Sequence, residues 1–360
     1  MPAIPPAPPP HGLPRRALMG GVLAGLAAAP PPARAGEAPP EAPPALRQAW
    51  RVFRARFLLP EGRVVDTGNQ GISHSEGQGW ALLCAERCDD REGFDLLLGW
   101  TRQALRRPQD SLHAWRYRPG AAQGFSDRNN ASDGDLFIAA ALLLAARRWA
   151  QPAYAGAGRA IARDVLRLLL RRVAGYTVLL PGAAGFEDAE GVILNPSYYA
   201  FPAIRLLAQA VPDPAWLRLV ADGVGLLRGA RFGRWGLPPD WLALRRAGGL
   251  AGLAPGRPPR FSYDAVRVPL YLAWSGLVEE PAVRAALGFW NDPGHPHPPA
   301  WVDLVTDRIS PYPASGGIEA LRDCLRRGEA SGPALTFTLE ERDDYYAAML
   351  KILSMISTIR

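Results

Sequence analysis

Three short stretches place carboxyl side chains at the polar start of otherwise apolar segments. SEGQGW carries Glu76, NNASDGDL carries Asp133 and Asp135, and FSYDAVRVP carries Asp264. Carboxyls give and take protons, and acids from three separated segments would make a site if the fold brought them to one cleft. Any one of them is equally well explained as helix punctuation, because Ser, Asp and Asn are preferred N-caps and first-turn acids suit the helix dipole. Three together, each flanked by aromatic or small residues, favour a shared cleft. No metal pattern competes with them. Cys84 and Cys88 stand one helical turn apart with Cys324 remote, and such a pair seldom meets disulfide geometry, so the cysteines read as small buried apolar groups. His295 and His297 sit in a Pro-rich stretch that reads as surface loop. No cofactor is implied.

The elements that must position these acids are helices. The longest apolar run follows Ser132, Asp133 and Asp135 and continues to Trp149, and it reads as a core helix. A helix is expected from Ser75, with Ser75 as N-cap and Gln78 completing a capping box, which puts Glu76 at the mouth. Further helices are expected over 45–58, 94–106, 157–173, 197–209, 214–229, 264–274, 281–290, 316–327 and 343–358, with a short strand at 63–65. Two β-prone runs between Tyr176 and Pro196 flank a Pro/Gly/Asp turn and predict one hairpin, and 232–260 reads mostly as loop. The total is roughly eleven helices and almost no sheet. They come in consecutive pairs, an αα-hairpin array with no fixed repeat and no composition shift between domains. If alternate helices line a closed ring, their N-termini open on one end, and so do the acids.

Bulk composition bounds the rest. With 360 residues, 48% of them hydrophobic, the chain can bury a large core, and a net charge of +7 comes mostly from Arg scattered through helical stretches. No basic run or nucleic-acid module is present, so no nucleic-acid partner is expected. At the N-terminus, Arg15 and Arg16 precede a thirteen-residue apolar run from Ala17 to Ala29, and Ala33-Arg34-Ala35 follows. That is the pattern of a signal peptide of Sec or twin-arginine type over 1–35, too short to span a bilayer. Residues 36–44 read as a flexible lead-in, 45–360 as one all-α domain, and the protein as periplasmic or secreted with no membrane span after signal removal.

SEGQ, NNASDGDLFIAAALLLAARRW, NPSYYAFPA, GLPPDW, FSYDAVRVP and the pair Tyr345-Tyr346 together resemble glycoside hydrolase family 8, in order along nearly all the mature chain. Within it, the sequence looks most like the endoglucanases that accompany bacterial cellulose synthases. The resemblance implies an (α/α)6 barrel, an inverting mechanism, cleavage of β-1,4-glucan in an open groove, and a cellulose synthase complex as a candidate partner. It implies that Glu76 is the general acid, Asp264 the general base, and Asp133 the group holding the sugar at the cleavage point, with Tyr263 and Arg267 beside the base. Chitosan, mixed-linkage glucan and xylan are alternative substrates within the family, and a non-hydrolytic glycan-binding factor is an alternative role.

Inverting glycosidases place a protonated carboxyl and a carboxylate roughly 6.5–9.5 Å apart to admit a water. Asp133 and Asp135, on one turn, are too close for that; Glu76 and Asp264 come from separate segments. Glu76 must stay protonated although a helix N-terminus favours the anion, so burial and an ionised Asp133 are expected to raise its pKa, while Arg267 is expected to keep Asp264 ionised. A glucan also needs aromatic faces to stack on. Trp115, Tyr198, Tyr199, Trp235, Trp241, Tyr345 and Tyr346 are the candidates, with Asp240 and Arg116 as hydroxyl partners and Asp135 as a structural brace.

Overall fold

Eleven helices among the described residues do the building, and their mutual packing sorts them into two layers. The computed structural model describes residues 41–120, 127–249, 251–328 and 335–359. The expected signal segment and all of the lead-in up to residue 40 lie outside them. In chain order come α1 (Pro44–Phe57), β1 (Ser73–His74), α2 (Ser75–Arg87), α3 (Arg91–Ala104), β2 (Arg116–Tyr117), α4 (Ser132–Arg148), α5 (Pro152–Leu169), β3 (Leu170–Val173), β4 (Tyr176–Leu179) and β5 (Gly191–Leu194). A 3-10 turn over Pro196–Tyr198 leads into α6 (Phe201–Ala210), α7 (Pro214–Gly229), β6 (Leu242–Arg245), β7 (Ala251–Leu253), β8 (Arg260–Phe261), α8 (Arg267–Trp274), α9 (Pro281–Trp290), β9 (Val302–Asp303), α10 (Gly316–Arg327) and α11 (Tyr345–Ile356).

α2, α4 and α11 are buried on nearly every side, the last two because their sequences leave almost no polar face. The amphipathic α1, α3 and α5 bury one stripe each. Packing follows from this: α2, α4, α6, α8, α10 and α11 succeed one another around the inside, and α11 returns to α2. Outside them α1 lies on α11, α3 on α2, α5 on α4, α7 on α6 and α9 on α8. This is the α/α barrel arrangement. One continuous apolar core runs through it from Ala42 to Ile356. No helix among the described residues is long and apolar enough to cross a membrane.

Several local expectations are corrected by tertiary pairing. Ser75 is not an N-cap: it is already helical, His74 precedes it in extended conformation, and no side chain caps the mouth of α2. Gln78 closes no capping box. It turns inward, where its Oε1 accepts from Val64 N at 2.7 Å and its Nε2 donates to Thr101 Oγ1 at 2.9 Å, because a fully buried amide must find partners. The two β-prone runs after Tyr176 are strands but not partners of each other. Tyr176–Leu179 pairs back on Leu170–Val173 through a two-residue turn in which Ala174 and Gly175 both take positive φ, as hairpin turns of this length require. Gly191–Leu194 instead pairs with Leu242–Arg245, which pairs with Ala251–Leu253, so the expected loop over 232–260 carries strands. The helix expected from 264 begins at Arg267, leaving Asp264 in the preceding turn.

α2 and α4 approach closely at their N-termini, which sets Glu76 beside Asp133. A Cβ on Gly134 would stand 2.7 Å from Glu76 N and 2.8 Å from the Ser75 carbonyl carbon, distances no real Cβ tolerates. Gly134→Ala is therefore expected to force the two helices apart, at a cost of about 1–3 kcal/mol. Thermal unfolding followed by circular dichroism should show a melting point lower by several degrees, together with lost activity; an unchanged melting point would mean that this contact does not hold the pair.

Candidate active site

The three acids converge on one guanidinium. Arg267, at the start of α8, is 3% exposed. Its Nη1 donates to Glu76 Oε1 and its Nη2 to Asp264 Oδ1 at 2.8 Å, with Asp133 Oδ2 3.8 Å away. Nη2 also donates to Ser197 Oγ at 2.8 Å, and the guanidinium carbon lies 5.3 Å from the centroid of the Trp80 ring. Ser197 is itself fixed, because its N and Oγ both donate to Asn195 Oδ1, at 3.0 and 2.7 Å. Asp133 Oδ1 accepts from Gly134 N at 2.8 Å. Asp135, two residues along the same helix, faces away from the cluster. It accepts from His113 N and the His113 ring at 2.9 Å each and from Asn130 Nδ2 at 2.9 Å, so it braces the loops at the mouth of α4.

The aromatic candidates divide. Trp115 is half-buried; it stacks on His74, the residue two before Glu76, at 6.4 Å with 11° between the planes. Its Nε1 donates to Asp127 Oδ2 at 3.1 Å and Arg116 lies over its ring. Tyr198 and Trp241 are half-buried neighbours, 6.4 Å between centroids, and Trp241 stacks in parallel on Phe186 at 5.9 Å. Tyr263 is exposed, within 3.4 Å of the Tyr312 hydroxyl, and Trp301 Nε1 donates to that same hydroxyl at 2.9 Å. Tyr199 and Tyr345 do not offer a face. Both are buried to 3%; Tyr199 packs against Phe201 with its hydroxyl accepting from Leu179 N at 3.3 Å, and Tyr345 packs between Phe53 and Phe57. Their expected stacking role is therefore replaced by a place in the core. Trp80 is wholly buried too. Phe186, Tyr312, Trp301, Asn195 and Ser197 were not singled out by the sequence; only Asn195 and Ser197 lie in a motif, NPSYY, that drew attention for other residues.

The geometry has counterparts in known proteins. The model of glycosyl hydrolases family 8 matches residues 38–360. The chain belongs to glycosyl hydrolase family 8. It is a glycoside hydrolase. A "probable endoglucanase" of Novacetimonas hansenii is 45% identical over 316 residues, covering 88% of this chain and 92% of that one. An endoglucanase of Cellulomonas uda is 41% identical over 283 residues, 78% and 77% of the two chains. Among solved structures, an endo-β-1,4-glucanase from Acetobacter xylinum superposes with a TM-score of 0.82 at 44% identity, covering 88% of this chain and 98% of that one. The barrel described above is thus the (α/α)6 barrel of this family.

In the hydrolase, protonation of the cluster follows from burial. One cation faces three carboxyls, so the cluster resists holding three negative charges. Burial first, and then the charge and hydrogen bond of Asp133, raise Glu76 well above the ordinary carboxyl range, with Arg267 opposing. Burial raises Asp133 as well, but its hydrogen bond with Glu76 lowers it, which favours the shared proton on Glu76. Asp264 is also raised, by burial and then by the charge of Asp133, against the expectation that Arg267 alone would hold it down. Arg267 and Asn195 oppose that rise. Of the three side chains Asp264 is the most open, 33% exposed against 17% for Glu76 and 3% for Asp133, so water reaches it best. The arrangement therefore favours a proton on Glu76 and leaves Asp264 the acid that water reaches best. His74 is lowered by burial to about 4 and stays neutral beneath Trp115.

Asp133→Asn keeps a hydrogen-bonding side chain but removes a charge that raises Glu76. Glu76 then gives up its proton at lower pH, so the alkaline limb of residual kcat/KM is expected to move down by about one pH unit. A pH–rate profile of the variant checks this; an unmoved alkaline limb would mean that Asp133 does not hold the proton on Glu76.

Proposed function

We propose that this glycoside hydrolase is an exported endo-β-1,4-glucanase that cuts cellulose chains with inversion at the anomeric carbon. The observation that carries the reading is that Glu76 and Asp264, from separate elements, share the Arg267 guanidinium, with Tyr198 close enough to interact with all three acids and Trp241 beside Tyr198. Glu76, kept protonated, donates its proton to the oxygen of the leaving sugar. Asp264, the most solvent-reached acid, takes a proton from a water that attacks the anomeric carbon from the other face, which is how two carboxyls on separate supports invert. Asp133 holds the sugar at the cleavage point and keeps the shared proton on Glu76. The aromatic faces stack on the apolar faces of pyranose rings, and the open groove that the family resemblance implies suits internal cleavage of a chain. The names of the relatives support the β-1,4-glucan substrate. Export rests on the paired Arg15 and Arg16, the apolar run and the small-residue end at Ala35, and a cellulose synthase complex is the partner that the resemblance suggests.

Glu76→Gln and Asp264→Asn are each expected to lower the release of reducing sugar from carboxymethylcellulose by about 10³-fold or more, with circular dichroism and glucan binding retained. Near-wild-type hydrolysis in either would remove that residue from the assignment. Proton NMR of fresh cello-oligosaccharide digests should show the new reducing end first as the α-anomer, and an initial β-anomer would contradict inversion. Faster hydrolysis of xylan, chitosan or mixed-linkage glucan in the same assay would replace the substrate and leave the mechanism standing.

A further inference from the structure

The residue before Trp241 is a buried carboxylate that touches none of the three acids through a hydrogen bond, yet grips the backbone on both sides of one of them. Asp240 Oδ1 accepts from Ser262 N at 2.9 Å and from Ala265 N at 2.8 Å, and its Oδ2 accepts from Ser262 Oγ. Ser262 and Ala265 bracket Tyr263 and Asp264. Asp240 N in turn donates to Arg260 O at 2.7 Å, so the grip reaches the strand that leads into the turn. With Asp264 lying outside α8, the helix does not supply these hydrogen bonds, and one carboxyl does the work of a turn of helix. On its other side Asp240 is continuous with Trp241, whose ring stacks on Phe186 and neighbours Tyr198. Asp240 was expected to meet a sugar hydroxyl; its three acceptor contacts are used up by the protein instead.

We propose that Asp240 is a positioning residue: it locks the Tyr263-Asp264 turn to the Trp241 wall, so that the base and a sugar stacked on that wall are held in one register. This rests on Asp264 being the base. What the role requires is an acceptor at the position of Oδ1, not a charge. Burial, and then the neighbouring Asp264, push the Asp240 carboxyl up to about 7, and a neutral carboxyl still presents the carbonyl oxygen that two backbone N–H groups need.

The test is the order of two substitutions. Asp240→Asn keeps the acceptor and loses the charge, and Ser262 Oγ can rotate to accept from the new amide. Asp240→Glu keeps the charge and displaces the acceptor by about a methylene. Positioning predicts kcat on carboxymethylcellulose close to wild type for Asp240→Asn and lower by about 100-fold for Asp240→Glu, as expected for a reacting group misplaced by about 1 Å. KM should change little in either, because Trp241 keeps its stack on Phe186. A charge role would reverse the order. The proposal is overturned if Asp240→Glu equals or exceeds Asp240→Asn, if Asp240→Asn loses kcat, or if the losses fall on KM. Melting curves identify a variant that fails to fold, and the Asp240→Asn result alone then decides. Asp264→Asn is the control: activity retained there defeats the assignment of the base, whereas activity abolished there with full kcat in Asp240→Glu defeats only the role of Asp240.

Discussion

The structure turns on a buried cation shared by acids from three different elements. Arg267 reaches Glu76 on α2, Asp264 in the turn before its own helix, and the neighbourhood of Asp133 on α4, while Ser197 accepts from it out of the 3-10 turn. Removing a guanidinium from water is costly unless its hydrogen bonds are met by groups of opposite charge in good geometry. Here those groups are the ones proposed to react. The same interaction that makes Arg267 tolerable in the core gathers the carboxyls, and a single positive charge among three of them leaves one proton that the cluster does not readily give up. The proposed acid and base assignments follow from where that proton is most expensive to remove: on a largely buried Glu76 bonded to Asp133, and not on the more open Asp264.

Around that centre the barrel has to bring helix ends together without filling the space between them. Neither α2 nor α4 has a side-chain cap, and the Ser75 and Ser132 hydroxyls, buried at these mouths, have no protein partner. Caps would have been worth roughly 1 kcal/mol each. What replaces them is close approach: Gly134 lets the first turn of α4 lie against Ser75 and Glu76. Uncapped helix mouths favour anions, which opposes a protonated Glu76, so burial and the Asp133 charge have to outweigh the helix field. The functional site is thus a place where local helix chemistry is overruled by packing.

Much of this was legible in the sequence because it depended on local pattern. Apolar periodicity located the helices, and a run as apolar as that after Asp135 had to be an inner wall. Glu76, Asp133 and Asp264 stood out as acids at the edge of such runs. What was not legible depended on pairing over long separations. The β-prone runs at Tyr176 and Gly191 find different partners, one of them some fifty residues away, and strands of three or four residues carry too little pattern to announce which. Gln78 fits a capping box in sequence, yet Val64 and Thr101, brought in by neighbouring elements, offer it a fully satisfied buried site that the cap cannot match.

The adjacent pairs Tyr198-Tyr199 and Tyr345-Tyr346 show the same limit at the scale of one residue. Composition treats the members of each pair alike, and both are suited to stacking on a sugar. The 3-10 turn directs Tyr198 toward Trp241 and the acid cluster, where burial first and then the three acids disfavour its phenolate, and directs Tyr199 onto Phe201 and the strand at Leu179. At the start of α11, Tyr345 points between Phe53 and Phe57, while Tyr346 turns to Trp80 and donates its hydroxyl to the Tyr263 carbonyl, another hold on the turn that carries Asp264. A helical step of about 100° separates a core residue from a site residue. The face each ring presents is therefore set by the exact residue at which an element begins, the quantity that sequence pattern locates least well.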